Sequence, residues 1–163
     1  MRQVRDFSLA LPMKASACCL VPLILISSAF AQPATATKAP APKLANSAVY
    51  DWKDLKVETR ATGERRAVFD NPTETLANFE CHITTLKAGE ISGAPHAHPG
   101  VEEATFVKEG MVEVWANEKR QTVGPGSVFY FASKDLVTIK NVGTTPATYV
   151  VFSIRAKAPG AQK

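Results

Sequence analysis

Residues 89–110 read GEISGAPHAHPGVEEATFVKEG. His96 and His98 are one residue apart, and the adjacent carboxylates Glu102 and Glu103 follow. Alternate side chains of an extended strand point to one face, so both imidazoles can aim at a common point. Pro99 and Gly100 supply turn chemistry. The chain is expected to reverse there and lay a second strand, starting near Glu102, alongside the first. A carboxylate from that strand completes a cluster of two histidines and one acid. Such a donor set suits a divalent transition metal with open positions for water or substrate.

On both sides of this stretch the pattern is β. Short runs rich in Val, Ile, Phe, Tyr and Thr fall at 65–70, 79–86, 102–108, 111–116, 121–123, 127–131, 136–140 and 148–155, separated by Gly, Pro and Asn. A further short strand is expected at 48–52, and a single helical turn within 51–57 or 73–77. No window sustains helical periodicity. Closely spaced short strands of this kind specify an all-β sandwich or barrel.

The spacing HxH, four residues, Glu103, six residues, Gly110 resembles the first signature motif of the cupin superfamily. Six residues separate Gly89 from His96, where the usual motif has five. The resemblance implies a double-stranded β-helix or jelly-roll barrel. It also implies that His96, His98 and Glu103, rather than Glu102, are the metal ligands, and that the metal is Fe, Mn, Ni, Cu or Zn. The usual second motif is Gly, five residues, Pro-x-Gly, two residues, His, three residues, Asn. Here Gly126 and Asn141 are in register, but Ala132, Lys134 and Val137 replace the Pro, the Gly and the fourth ligand. Valine cannot coordinate a metal. Either a three-ligand centre with an extra open position remains, or the site has lost its metal and persists as a binding cavity. His82, of one strand parity with Thr84 and Leu86, is a candidate substitute ligand. The resemblance covers roughly 79–154.

Several functions follow from that resemblance: a metal-dependent enzyme of oxygenase, isomerase or lyase type acting on a small molecule, a non-catalytic module binding a small ligand or metal, or a degenerate structural cupin. With three histidines and one cysteine left after processing, no Ser/His/Asp or Cys/His constellation is available for metal-free nucleophilic chemistry. The catalytic residues themselves are not read from the sequence.

Residues 1–31 read as a secretory signal peptide. Arg2, Arg5 and Lys14 precede the apolar run CLVPLILI, and Ser28-Ala29-Phe30-Ala31 ends in a small-x-small cleavage pattern. The apolar run is too short to favour a membrane span. Residues 32–47, QPATATKAPAPKLANS, are a Pro/Ala-rich linker with little to bury. Residues 48–163 then form one domain, exported to the periplasm or secreted. Processing lowers the formal net charge from +4 to +2, because three basic residues and one acidic residue are lost. The remaining basic residues are scattered, which excludes a nucleic-acid footprint. Cys18 and Cys19 leave with the signal, so Cys81 is alone and is expected to be a buried, inert thiol. Trp115, Tyr130, Phe106, Phe129 and Phe131 are expected to pack in the core or on the sheets. The early strands offer edges for pairing, so a homodimer is expected.

Overall fold

The computed structural model describes residues 43–160 of the chain. The signal segment and most of the linker lie outside the described residues. Nine strands follow in order: β1 (Val57–Arg60), β2 (Gly63–Asn71), β3 (Leu76–Leu86), β4 (Glu102–Glu109), β5 (Val112–Ala116), β6 (Lys119–Val123), β7 (Val128–Phe131), β8 (Val137–Asn141) and β9 (Ala147–Ala156). They form a six-stranded sheet of order β1-β2-β3-β9-β4-β7 and a three-stranded sheet of order β6-β5-β8. All the pairings are antiparallel. The protein is an all-β double-sheet jelly roll.

Alternation along each strand decides which side chains enter. On β3 the even residues Glu80, His82, Thr84 and Leu86 share the inner face, while Phe79, Cys81 and Ile83 point outward. Between the sheets, Leu86, Val107, Val112, Val137, Ile139 and Val151 form the centre of the core. The outer face of β3 is covered too. Tyr50, Phe69, Phe79 and Phe152 make a chain of ring contacts with centroids 5.6, 5.0 and 6.2 Å apart. Trp52 lies over the same face, with the Arg66 guanidinium 4.4 Å and the Lys108 ammonium 4.3 Å from its ring. Cys81 is therefore buried, and burial, followed by the nearby Glu80 charge, pushes its thiol up to about 11. It is an inert thiol at neutral pH.

Several local expectations are corrected. Residues 48–52 make no strand; instead Trp52–Asp54 forms a 3-10 turn, whose start is capped by the Asp51 carboxylate accepting from the Lys53 amide. The single helical turn expected in 51–57 or 73–77 is this one, in the first range; at 73–77 the Thr73 hydroxyl accepts from the Leu76 amide and Leu76 already opens β3. Strand β1 escapes sequence reading because its four residues are all exposed and carry no apolar alternation. Phe106 and Tyr130 are not core residues: they face outward, 41% and 57% exposed.

Two features of the second motif keep structural roles. Asn141 is fully buried, and its amide donates to the carbonyls of Leu86 (3.0 Å), Lys87 (3.1 Å) and Thr145 (2.8 Å). It thereby ties the end of β3 to the loop before β9. Lys134, standing where the motif has glycine, adopts φ +78°, a left-handed conformation that strains an ordinary side chain.

Gly110 is the tightest turn position of the first motif. It has φ +81°, and a Cβ there would lie 2.5 Å from the Ala147 Cα. Gly126 has a similar φ, +86°, but open space around it. Gly110→Ala should therefore cost about 2–4 kcal/mol in urea unfolding, and Gly126→Ala only about 1 kcal/mol. Equal costs would mean that the backbone between β4 and β5 relaxes freely.

Candidate functional site

The histidine stretch does not pair with β4. The Ser92 amide donates to Ile139 O (2.8 Å), the His96 amide to Val137 O (3.2 Å) and the Val137 amide to His96 O (2.9 Å). Residues 91–96 thus run along β8, with bridges at Ile91–Lys140 and His96–Val137. The turn falls where expected: the Val101 amide donates to His98 O (3.0 Å), and Gly100 takes φ +75°. The expected hairpin is replaced by a crossing. After the turn the chain enters β4 between β9 and β7 of the large sheet. A hairpin is unavailable because both edges of β4 are already occupied by those strands.

This crossing brings the predicted ligands to one cavity from opposite walls. His98 Nε2 lies 3.7 Å from Glu103 Oε2, and the His96 and His98 rings meet edge-to-face with centroids 4.6 Å apart. His96 Nδ1 faces the Ala94 carbonyl at 2.8 Å. Because a carbonyl only accepts, that contact places the proton on Nδ1 and leaves Nε2 with its lone pair free. Glu103 Oε1 accepts from the Ser153 hydroxyl at 2.9 Å. Val137, 3% exposed, lines the same cavity beside His96. Glu102 is exposed on the outer face, as its parity requires. Among the described residues no three His, Cys, Asp or Glu side chains are close enough to share one ion.

The cavity measures about 270 Å³. His96, His98, Glu103 and Val137 line it together with Phe131, and across from them stand Arg65, His82, Thr84 and Tyr149. His82 does not join the other two histidines. Its Nδ1 is held by Glu80, 2.8 and 3.0 Å from the two carboxylate oxygens, and Arg65 Nη2 donates to Glu80 Oε1 at 2.6 Å. Arg65, Glu80 and Ser153 are the polar residues that motif reading missed. The available signal was parity, since Glu80 shares the inner face with His82.

Burial by itself would raise the Glu80 carboxyl. The hydrogen bond from His82, the charges of His82 and Arg65, and the Ser153 hydroxyl outweigh it and hold the group below its ordinary value. Tyr149 is driven the other way. Burial raises its phenol strongly, against the neighbouring hydroxyls of Ser92 and Thr84. It stays protonated, and so remains a hydrogen-bond donor in the cavity wall.

A model of the cupin domain family, Cupin_2, matches residues 82–153, the span that holds both motifs and the histidine side of the cavity. Residues 82–153 form a cupin domain. Solved cupins share its fold at low identity. KdgF from Halomonas sp. superposes with a TM-score of 0.57 at 16% identity, over 69% of this cupin and 97% of that chain. An RmlC-like cupin from Shewanella frigidimarina gives 0.56 at 14%, over 69% and 94%. A predicted oxalate decarboxylase from Thermotoga maritima gives 0.55 at 19%, over 66% and 99%. No curated protein sequence matches this cupin.

The Glu80 environment sets an acid limit on stability. A carboxylate held below its ordinary 4.5 stabilises the fold above that pH, and its contribution is lost as pH falls through the lowered value. Glu80→Gln should be less stable than wild type at pH 7, with the gap closing as pH falls below about 4 in thermal melts. A gap that does not change with pH would show that Glu80 acts through shape alone.

Proposed function

We propose that this cupin is an exported, metal-dependent enzyme acting on a small molecule, with His96, His98 and Glu103 holding a divalent transition metal. The observation that carries the reading is the convergence of these three side chains on one cavity from two sheets, with His98 and Glu103 already 3.7 Å apart. The donor chemistry fits. His96 offers Nε2 because Nδ1 is engaged, and Glu103 is oriented by Ser153, the kind of outer contact that steadies metal ligands. The three donors must draw together to share an ion. A metal bound there supplies a Lewis acid with open coordination positions. The residues around it do the rest: Val137 and Phe131 keep one side apolar, while Tyr149 and Thr84 present hydroxyls to an oxygen-bearing ligand. The similar solved structures include a predicted oxalate decarboxylase and a sugar phosphate isomerase, so small oxygenated molecules are compatible with this architecture. Val137, in the usual fourth-ligand place, favours a second reading: a non-catalytic module that binds a small molecule in the same cavity.

Metal titration by calorimetry separates these readings. Wild type should bind one Mn, Fe, Ni, Cu or Zn ion. His98→Ala and Glu103→Gln should each weaken binding by at least about 100-fold, since losing even an outer partner of a ligand costs about 10–100-fold. Val137→His should bind more tightly. No metal in wild type and no gain in Val137→His would leave the binding module.

The localisation and assembly belong to the same proposal. The signal segment supports export to the periplasm, and among the described residues no helix is long and apolar enough to cross a membrane. A homodimer is supported by the outer face of the β4–β7 pair, where Phe106, Val128 and Tyr130 are 41%, 70% and 57% exposed and adjacent by register. Protein isolated from the periplasm should begin at Gln32 and sediment as a dimer. An intact Met1 terminus would exclude processing, and a monomer at working concentrations would exclude the pairing.

A further inference from the structure

The cavity has a second chemical pole. Arg65, on β2, lines it together with His82 and Thr84, which stand on β3. A guanidinium carries five N–H donors in a planar fork. Glu80 engages Arg65 through a single contact, from Nη2 to one carboxylate oxygen, and shares that carboxylate with His82 Nδ1. The other cavity arginine is differently placed: Arg60 is exposed, and Nε and Nη2 both bond Glu58, each at 3.1 Å. Glu64, also at the cavity, pairs with Arg66 at 3.0 Å. Arg65 is thus the arginine whose fork is held from one side only while the side chain, about a quarter exposed, reaches the cavity.

We propose that Arg65 is the specificity residue of the cavity and that it docks a carboxylate of the ligand, so that the substrate is a small organic acid. This rests on the metal reading above for the other end of the ligand, which would face His96, His98 and Glu103. The cavity volume of about 270 Å³ restricts the ligand to a compact molecule. Charge argues against a dianionic head group: Glu80 offsets the unit charge of Arg65, so an arriving anion gains the remaining N–H donors of the fork but little net positive charge. Shape agrees, because the flat fork meets a carboxylate in two parallel hydrogen bonds. His82 Nε2 and the Tyr149 phenol add cavity-facing groups that can hydrogen-bond an oxygenated ligand. Within this arrangement Glu80 is a resident competitor: it occupies the edge of Arg65 when no ligand is present.

The competitor gives the test its sign. Succinate, the neutral succinamide and inorganic phosphate are titrated calorimetrically into wild type, Arg65→Gln and Glu80→Gln, each with and without bound zinc. Succinate should bind wild type, with succinamide and phosphate at least about 10-fold weaker. Arg65→Gln should weaken succinate by at least about 10-fold, the scale of a lost charge-assisted hydrogen bond. Glu80→Gln should tighten it several-fold, because it frees the fork, while Gln can still accept from His82. Zinc affinity should be unchanged in both variants. Equal succinate binding in wild type and Arg65→Gln would overturn the proposal. So would a Glu80→Gln variant that weakens in step with Arg65→Gln, which is what a purely structural ion pair predicts. Zinc binding without succinate binding refutes the carboxylate site and leaves the metal reading intact. Succinate binding that depends on Arg65 in a protein without zinc affinity does the reverse.

Discussion

The pair of backbone hydrogen bonds between His96 and Val137 is the constraint on which the site depends. It fastens an otherwise irregular stretch to the edge of the small sheet, so that His96 starts from one sheet and Glu103 stands on the other. Directly paired strand residues present their side chains to the same face a few ångströms apart. His96 and Val137 are therefore neighbours by construction, and any side chain at position 137 sits where a further donor would stand. The Gly100 turn, held by the Ser133 hydroxyl on its amide at 2.8 Å, then sets the height at which His98 meets Glu103.

A second ordering runs across the large sheet. Glu80, Ser153 and Glu103 are register partners on β3, β9 and β4. One hydroxyl stands between two inward carboxylates and donates to Glu103 at 2.9 Å. A hydroxyl has a single proton to give, so the two acids share Ser153 unequally: it donates to Glu103, while Glu80 rests chiefly on His82 and Arg65. Two carboxylates buried in one row would repel without this division. The arrangement keeps each one satisfied and separates the cavity into a histidine end and an arginine end.

Much of this was legible in the sequence, for identifiable reasons. Eight strands followed from short apolar runs and their punctuation, because inward and outward residues alternate strictly along them. The HxH-turn-Glu spacing located three cavity residues, because the motif encodes a local chain reversal. The hairpin expectation failed at that same turn: local sequence specifies a reversal but not which sheet the chain enters next. β1 failed because an edge strand exposed on all four residues carries no burial pattern. Arg65 belongs to no motif, and only the register of β2 on β3 sets it beside Thr84 at the cavity. The outward position of Phe106 and Tyr130 was hidden for a related reason, since aromatic content alone does not say which face of a sheet is covered.

The inequality of the two sheets connects these observations. Six strands cannot be covered by three. The small sheet packs over the middle of the large one, where Leu86, Val107 and Tyr149 are nearly sealed from solvent. β1 and β2 lie at the far edge of the large sheet, and the cavity lining continues onto them through Arg60, Thr62 and Arg65. An arginine there can keep its charge hydrated while still reaching inward, which a fully enclosed position would forbid unless the charge were completely paired. Val137 and Phe131, 3% and 5% exposed, are the dry part of the cavity wall. The histidines are open to water as well: His96 is exposed and the His98 side chain is about a third exposed, while Glu103 is the enclosed member of the three. The guanidinium on β2 and the acid on β4 are held apart by the strands between them, and that separation orients any ligand that enters.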